Sequence, residues 1–104
     1  MGMDRTIAFA GTPPSWSNIR ERIVAAGLTV QLRMIDGLPA FPDEVPEEGW
    51  RELRISTPGG MMTLRLQPGQ LSVVVWGNAS IELVRDWEAV ERACSEAVNR
   101  IPEA

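Results

Sequence analysis

Residues 52–76 read ELRISTPGGMMTLRLQPGQLSVVVW, and the fold turns on this stretch. Apolar side chains recur at every second position: Leu53 and Ile55, then Met62, Leu64 and Leu66, then Leu71, Val73 and Val75. Between them stand Glu52, Arg54, Thr63, Arg65 and Ser72. A period of two belongs to strands with one buried and one wet face. The interruptions Thr57-Pro58-Gly59-Gly60 and Gln67-Pro68-Gly69-Gln70 place Pro second and Gly third, which is the composition of a type II turn. The expectation is an antiparallel meander of three strands.

Upstream, Thr29 to Ile35 alternates in the same way, with Val30, Leu32 and Met34 on one face and Gln31 and Arg33 on the other. Asp36 to Gly49 then carries Pro39, Pro42 and Pro46 among Asp43, Glu44, Glu47 and Glu48, and reads as an acidic, proline-stiffened loop. Before it, Ile19, Ile23 and Ala26 form a helical stripe, with Trp16 as a further member and Arg20, Glu21 and Arg22 facing water. Thr12 before Pro13 is the expected N-cap, with Ser15 competing, and Gly27 offers the left-handed position that ends the helix. Arg5 to Ala10 suits a short first strand.

Downstream the reading divides. Ser80 to Val84 alternates Ile81 and Leu83 like a final strand, yet the same residues can extend the last helix, and Asp86 is the expected N-cap in either case. Trp87, Val90, Cys94, Ala97 and Ile101 fall at helical spacing with Glu88, Glu91, Arg92 and Glu96 opposite, which predicts a helix from Trp87 to Arg100 ended by Pro102.

These elements define an α+β domain over residues 1–104: a single antiparallel sheet of about five or six strands with two helices packed on one face. Each strand and helix shows one apolar side, and the first helix alone can serve as a crossover. The order strand, helix, four strands with a possible extra one, helix resembles that of the TATA-binding-protein-like group of folds. The likeness is topological, and topology by itself implies no function.

Composition narrows the function classes. At 44% apolar and 23% charged, the chain has an ordinary globular balance. Its apolar runs, such as Val73 to Trp76, fall far short of the ~20 residues that span a bilayer, so no membrane partner is expected. No apolar segment of signal-peptide type follows Met1 to Arg5, and cytoplasmic location is the expectation. Cys94 is the only cysteine, which rules out an internal disulfide. The chain has no His, Lys or Tyr, and all ten basic side chains are Arg. The commonest general base and metal ligand is thereby missing, as are Schiff-base and phosphate-loop lysines. Exclusive use of Arg fits a GC-rich, bacterial genome. A net charge of −4 opposes general affinity for nucleic acid.

The sharpest candidate site follows from the alternation. With Leu and Val turned toward the helices, Arg33, Arg54 and Arg65 project from the opposite face, joined by Gln31, Thr63 and Trp76 and balanced by Glu52. Such a face can be plain solvated surface, a protein or dimer interface, or a holder of carboxylate or phosphate. The carboxylates of the acidic loop are numerous enough for a hard cation, but their spacing matches no defined metal loop, and no metal or other cofactor is expected. Gly11-Thr12-Pro13-Pro14 sits where phosphate loops sit, yet two prolines remove two N–H donors, favouring a capping role. Cys94 lies on an apolar stripe with no activating His. Trp87 and Trp16 are expected in the core, and Trp50 and Trp76, at a loop end and a strand end, can be packed or partly exposed, packing being the more common outcome for a tryptophan. Together these features suggest a non-enzymatic interaction module that presents its sheet face and proline-rich loop to another protein or to its own copy. The alternative is an anionic-ligand domain or cofactor-free enzyme that uses the arginines, with Glu52 or Asp36 as base.

Overall fold

A computed structural model of the chain describes residues 3–77 and 79–98. The elements are β1 (Met3–Ala8), α1 (Trp16–Ala25), β2 (Gln31–Ile35), β3 (Leu38–Pro39), β4 (Glu52–Thr57), β5 (Gly60–Gln67), β6 (Gln70–Val75) and α2 (Ile81–Val98). All six strands pair antiparallel in one sheet, in the order β1-β6-β5-β4-β2-β3. This is the α+β arrangement that the alternation implied.

The inward set of the meander is sealed. Leu53, Ile55, Met62, Leu64, Leu71, Val73 and Val75 join Ile19 and Ile23 of α1 and Val90 and Cys94 of α2 in one core. Burying each such aliphatic side chain contributes about 1.5–3 kcal/mol, so this shared face is the main source of stability. The two helices pack along each other, and α2 lies over β6, β5 and β1.

Helix ends follow local chemistry. Ser15 caps α1, its hydroxyl accepting from Asn18 N at 3.1 Å, so the competing cap prevails over Thr12. Gly27 ends α1 at φ +92, with Leu28 N donating to Ile23 O and Gly27 N to Val24 O, the paired bonds of a Schellman motif. Trp16 lies on the buried stripe, whereas Ala26 is exposed. Residues 81–84 belong to α2, whose N-cap is Ser80: its hydroxyl accepts from Leu83 N at 3.1 Å. Asp86 is therefore not a cap. It lies one turn inside the helix, and its carboxylate accepts from Gly59 N at 2.7 Å. The expected helix end at Arg100 and Pro102 lies outside the described residues.

Three departures reshape the sheet. The sixth strand comes from the acidic loop, where Asp36 (φ +50) and Gly37 (φ +85) form a two-residue hairpin that pairs Ile35 with Leu38. Two positive φ values in an Asp-Gly loop define a type I′ turn. Second, β2 carries a register shift between Leu32 and Met34. Met34 pairs with the outward Arg54, and Ile35 takes the core-facing place expected of Met34. Third, Gly69 has the positive φ (+75) of a type II turn, but at the β4–β5 turn the positive φ falls on Gly60 (+145) rather than on Gly59.

Gly59 is required for a different reason. A Cβ built there would stand 2.7 Å from the backbone C and O of Glu82 and 2.8 Å from the Asp86 carboxylate. At Gly69 the nearest atom would be 3.7 Å away. Gly59→Ala is thus expected to lower the unfolding free energy by about 2–3 kcal/mol in urea titration, because backbone must move. Gly69→Ala, strained in φ but unobstructed, is expected to cost about 1–2 kcal/mol.

Candidate functional site

The face of the sheet turned away from the helices is covered by no element among the described residues. Adjacent strands bring its side chains into rows. Val74, Thr63, Arg54 and Met34 are successive cross-strand partners on β6, β5, β4 and β2, and Ser72, Arg65 and Glu52 form the next row. Arg54 and Arg65 are thus diagonal neighbours, close enough for long side chains to share one region.

Each predicted residue has a definite setting. Arg65 Nε donates to Glu52 Oε2 at 3.1 Å, and its guanidinium carbon lies 5.5 Å from the centroid of the Trp76 ring. Arg65 is paired with Ser72, whereas Trp76 lies beyond Val74 on the same strand, so the arginine reaches the ring only across the Thr63–Val74 pair. Those two residues are 2% and 4% exposed although, among the described residues, no helix lies above them. Among the described residues, the stack of Arg65 on Trp76 passes over this pair. An exposed ion pair is worth about 0–1 kcal/mol and an exposed cation–π contact about 0.5–1 kcal/mol, so this stack is modestly held.

Arg33 occupies the irregular step in β2, and its Nε donates to Ser56 Oγ at 3.1 Å. Gln31 is the cross-strand partner of the same serine. Arg54 is different: it is exposed and its side chain, among the described residues, makes no hydrogen bond or ion pair. Together with Met61, Met62, Thr63, Trp76 and Leu83 of α2 it lines a shallow recess of about 480 Å³, which reaches from the open face to the start of α2. Trp76 is 54% exposed and Met61 46%. The structure therefore gathers Arg54, Thr63 and Trp76 in one recess, with Arg65 beside it, and leaves Arg33 and Gln31 off the recess. Met61 was missed in the sequence, although the alternation that turns Thr63 outward turns Met61 outward too.

The other candidates are held elsewhere. Asp36 Oδ1 accepts from Arg51 N at 2.8 Å and from Glu52 N at 2.9 Å, fastening the end of the loop to the start of β4. Glu44 Oε1 accepts from Phe41 N at 3.1 Å. Among the described residues no three carboxylates or thiols come together as metal ligands. Trp16, Trp50 and Trp87 are buried; of the two tryptophans open to partial exposure, Trp50 packs and Trp76 is exposed. Among the described residues no helix is long and apolar enough to cross a membrane. No family model matches the chain, and neither a curated protein nor a solved structure matches it significantly.

Cys94 is fully enclosed, and burial, reinforced by nearby Glu91, pushes its thiol up to about 12 from 9.0. A thiol so held stays protonated and is a poor nucleophile. Because the folded state binds this proton more tightly than the unfolded state, stability is complete below about pH 9 and declines as the pH rises toward 12. The chain has no Lys or Tyr to titrate in that window. Urea titrations between these limits should show a loss approaching roughly 4 kcal/mol in the wild type, and Cys94→Ala should flatten the curve.

Proposed function

We propose that the domain is a non-catalytic protein-interaction module that docks its partner on the open face of the sheet. The observation that carries this reading is Arg54: a guanidinium without a partner among the described residues, flanked by half-exposed Trp76 and Met61. Trp, Arg and Met are the residues enriched in the centres of protein interfaces, and a free guanidinium can take a carboxylate with two parallel hydrogen bonds. The fitting partner, another protein or a second copy, presents an acidic group beside an apolar one.

A second reading, binding of a small anionic ligand, is favoured by the recess beside Arg54, whose volume lies within the roughly 300–1,000 Å³ of small-molecule sites. Against it, the three arginines do not converge, since Arg33 is bound to Ser56 and Arg65 to Glu52.

Two substitutions test the proposal. Arg54→Glu is expected to change folding stability by no more than about 0.5 kcal/mol, because its side chain is exposed, and Trp76→Ala, which removes the ring that Arg65 stacks on above Thr63 and Val74, by about 1–2 kcal/mol with the fold retained. In sedimentation and in titration with an identified partner, each is expected to weaken association at least about tenfold. Association unchanged by both substitutions would remove this face from consideration. Saturable uptake of a small carboxylate by the isolated domain, lost in Arg54→Glu, would favour the second reading.

A further inference from the structure

We infer that the cleft between the start of α1 and the Pro46–Trp50 end of the acidic loop is a separate binding site, which takes a proline-rich, basic segment of another protein. This inference does not depend on the open sheet face. The cleft measures about 240 Å³, and its walls include Pro13, Trp16, Pro46, Trp50 and Leu66. That volume is below the roughly 300–1,000 Å³ of sites that enclose whole small molecules. It suits a few side chains of a chain passing over the surface.

The two tryptophans specify what the occupant must offer. Trp87 Nε1 donates to Val73 O at 3.0 Å, but neither Trp16 nor Trp50 has a hydrogen-bond acceptor among the described residues. Both are almost fully buried, at 3% and 5% exposure. Among the described residues no sealed side-chain nitrogen lacks a partner, so both indole N–H groups must retain contact with solvent. Both residues border the cleft, and each also lines a neighbouring recess beside the acidic loop, Trp16 with Asp43 and Glu44 and Trp50 with Asp36 and Glu44. A buried indole N–H normally finds an acceptor, and here the ligand supplies it.

Apolar walls combined with N–H donors select polyproline II. Such a segment makes no internal hydrogen bonds, leaves its carbonyls free, is already extended before binding, and at each proline brings no N–H that would need an acceptor. Charge selects further. Glu47 and Glu48 border the cleft and have no ion pair or hydrogen bond among the described residues. No basic residue occurs from Met34 to Trp50, so the surroundings are negative and complement Arg or Lys on the segment. Both walls are built in advance: the Ser15 cap fixes the start of α1, and Asp36 holds the backbone of Arg51 and Glu52 just beyond Trp50. Little ordering is then needed on binding.

The test titrates the ¹⁵N-labelled domain with a peptide of Pro-Pro-Arg repeats, with Gly-Gly-Arg and Pro-Pro-Glu peptides as controls. The Pro-Pro-Arg peptide is expected to move the indole N–H signals of Trp16 and Trp50 and to leave those of Trp76 and Trp87 in place. Trp50→Phe, which keeps an aromatic ring but removes the N–H, should weaken binding about five- to tenfold. The surface variant Glu47→Gln/Glu48→Gln, which leaves the core untouched, should weaken it by a similar factor and reduce its salt dependence. Equal binding of Gly-Gly-Arg or Pro-Pro-Glu, failure of Pro-Pro-Arg to bind, or signal changes confined to Trp76 would each overturn the inference. The last of these would assign the peptide to the open sheet face instead.

Discussion

The position of α2 depends on one short hydrogen bond, from Gly59 N in the β4–β5 turn to the Asp86 carboxylate at 2.7 Å. It can form only because residue 59 has no Cβ, which brings the turn against the backbone of Glu82. The next residue along the helix, Trp87, donates to Val73 O of β6, and Arg5 of β1 lies 4.7 Å above the same indole while pairing with Glu91. Asp86 and Trp87, consecutive in the helix, are thus tied to the β4–β5 turn, to β6 and to the edge strand β1. Burial of apolar area supplies most of the energy, but burial is non-directional and would accept the helix at several angles. These polar contacts choose one of them.

That choice determines what remains uncovered. With α2 over β6, β5 and β1, and α1 packed along α2, both helices are spent on one side of the sheet. The other side has to make its own cover. Among the described residues it is Arg65 that lies across Thr63 and Val74 to reach Trp76, a guanidinium over two buried residues in place of a helix. Edge strands face the same difficulty with their backbone groups. Beside β2, Ala40 N donates to Arg33 O and Leu32 N to Pro42 O, so the segment after the Asp36-Gly37 turn follows the edge beyond the two residues of β3. Pro39 has no N–H, and the N–H of Phe41 is taken by Glu44, which leaves this edge unsuited to further strand pairing.

Much of this was legible in the sequence because a period-two pattern with one dry face allows a single register, and a one-residue slip would turn every Leu and Val to water. The meander and the outward turn of Arg54 and Arg65 follow from it, while the α1 end was legible separately, from the left-handed position that Gly27 takes. The failures occurred where one residue type serves two physical roles. Asp36-Gly37 carried a strong hairpin signal, but the three prolines behind it made the segment look wholly irregular. Asp86 has the composition of a helix cap, and its actual partner is 27 positions away in sequence, beyond the reach of any local rule. The irregular step at Arg33 leaves no mark in composition, so Met34 and Ile35 could not be told apart by alternation. For the candidate surface, the face of each arginine was readable. Which arginine would be left without a partner was not, since that depends on Ser56 and Glu52 across the strands.

The charges are not mixed evenly over this surface. Arg33, Arg54 and Arg65 share the open face with few acids, whereas Asp43, Glu44, Glu47 and Glu48 stand together in a segment without a basic residue. A net charge of −4 conceals this separation. Charge segregated in this way favours complementary partners and rejects others, since a like-charge juxtaposition costs more than a rim ion pair contributes. An acidic segment suited to Arg54 would be repelled by the loop, and a basic segment suited to Glu47 and Glu48 would be repelled by the open face. If the two proposed sites both hold, surfaces of opposite sign on one small domain would keep an acidic and a basic partner from exchanging places, because each would be repelled by the other's site.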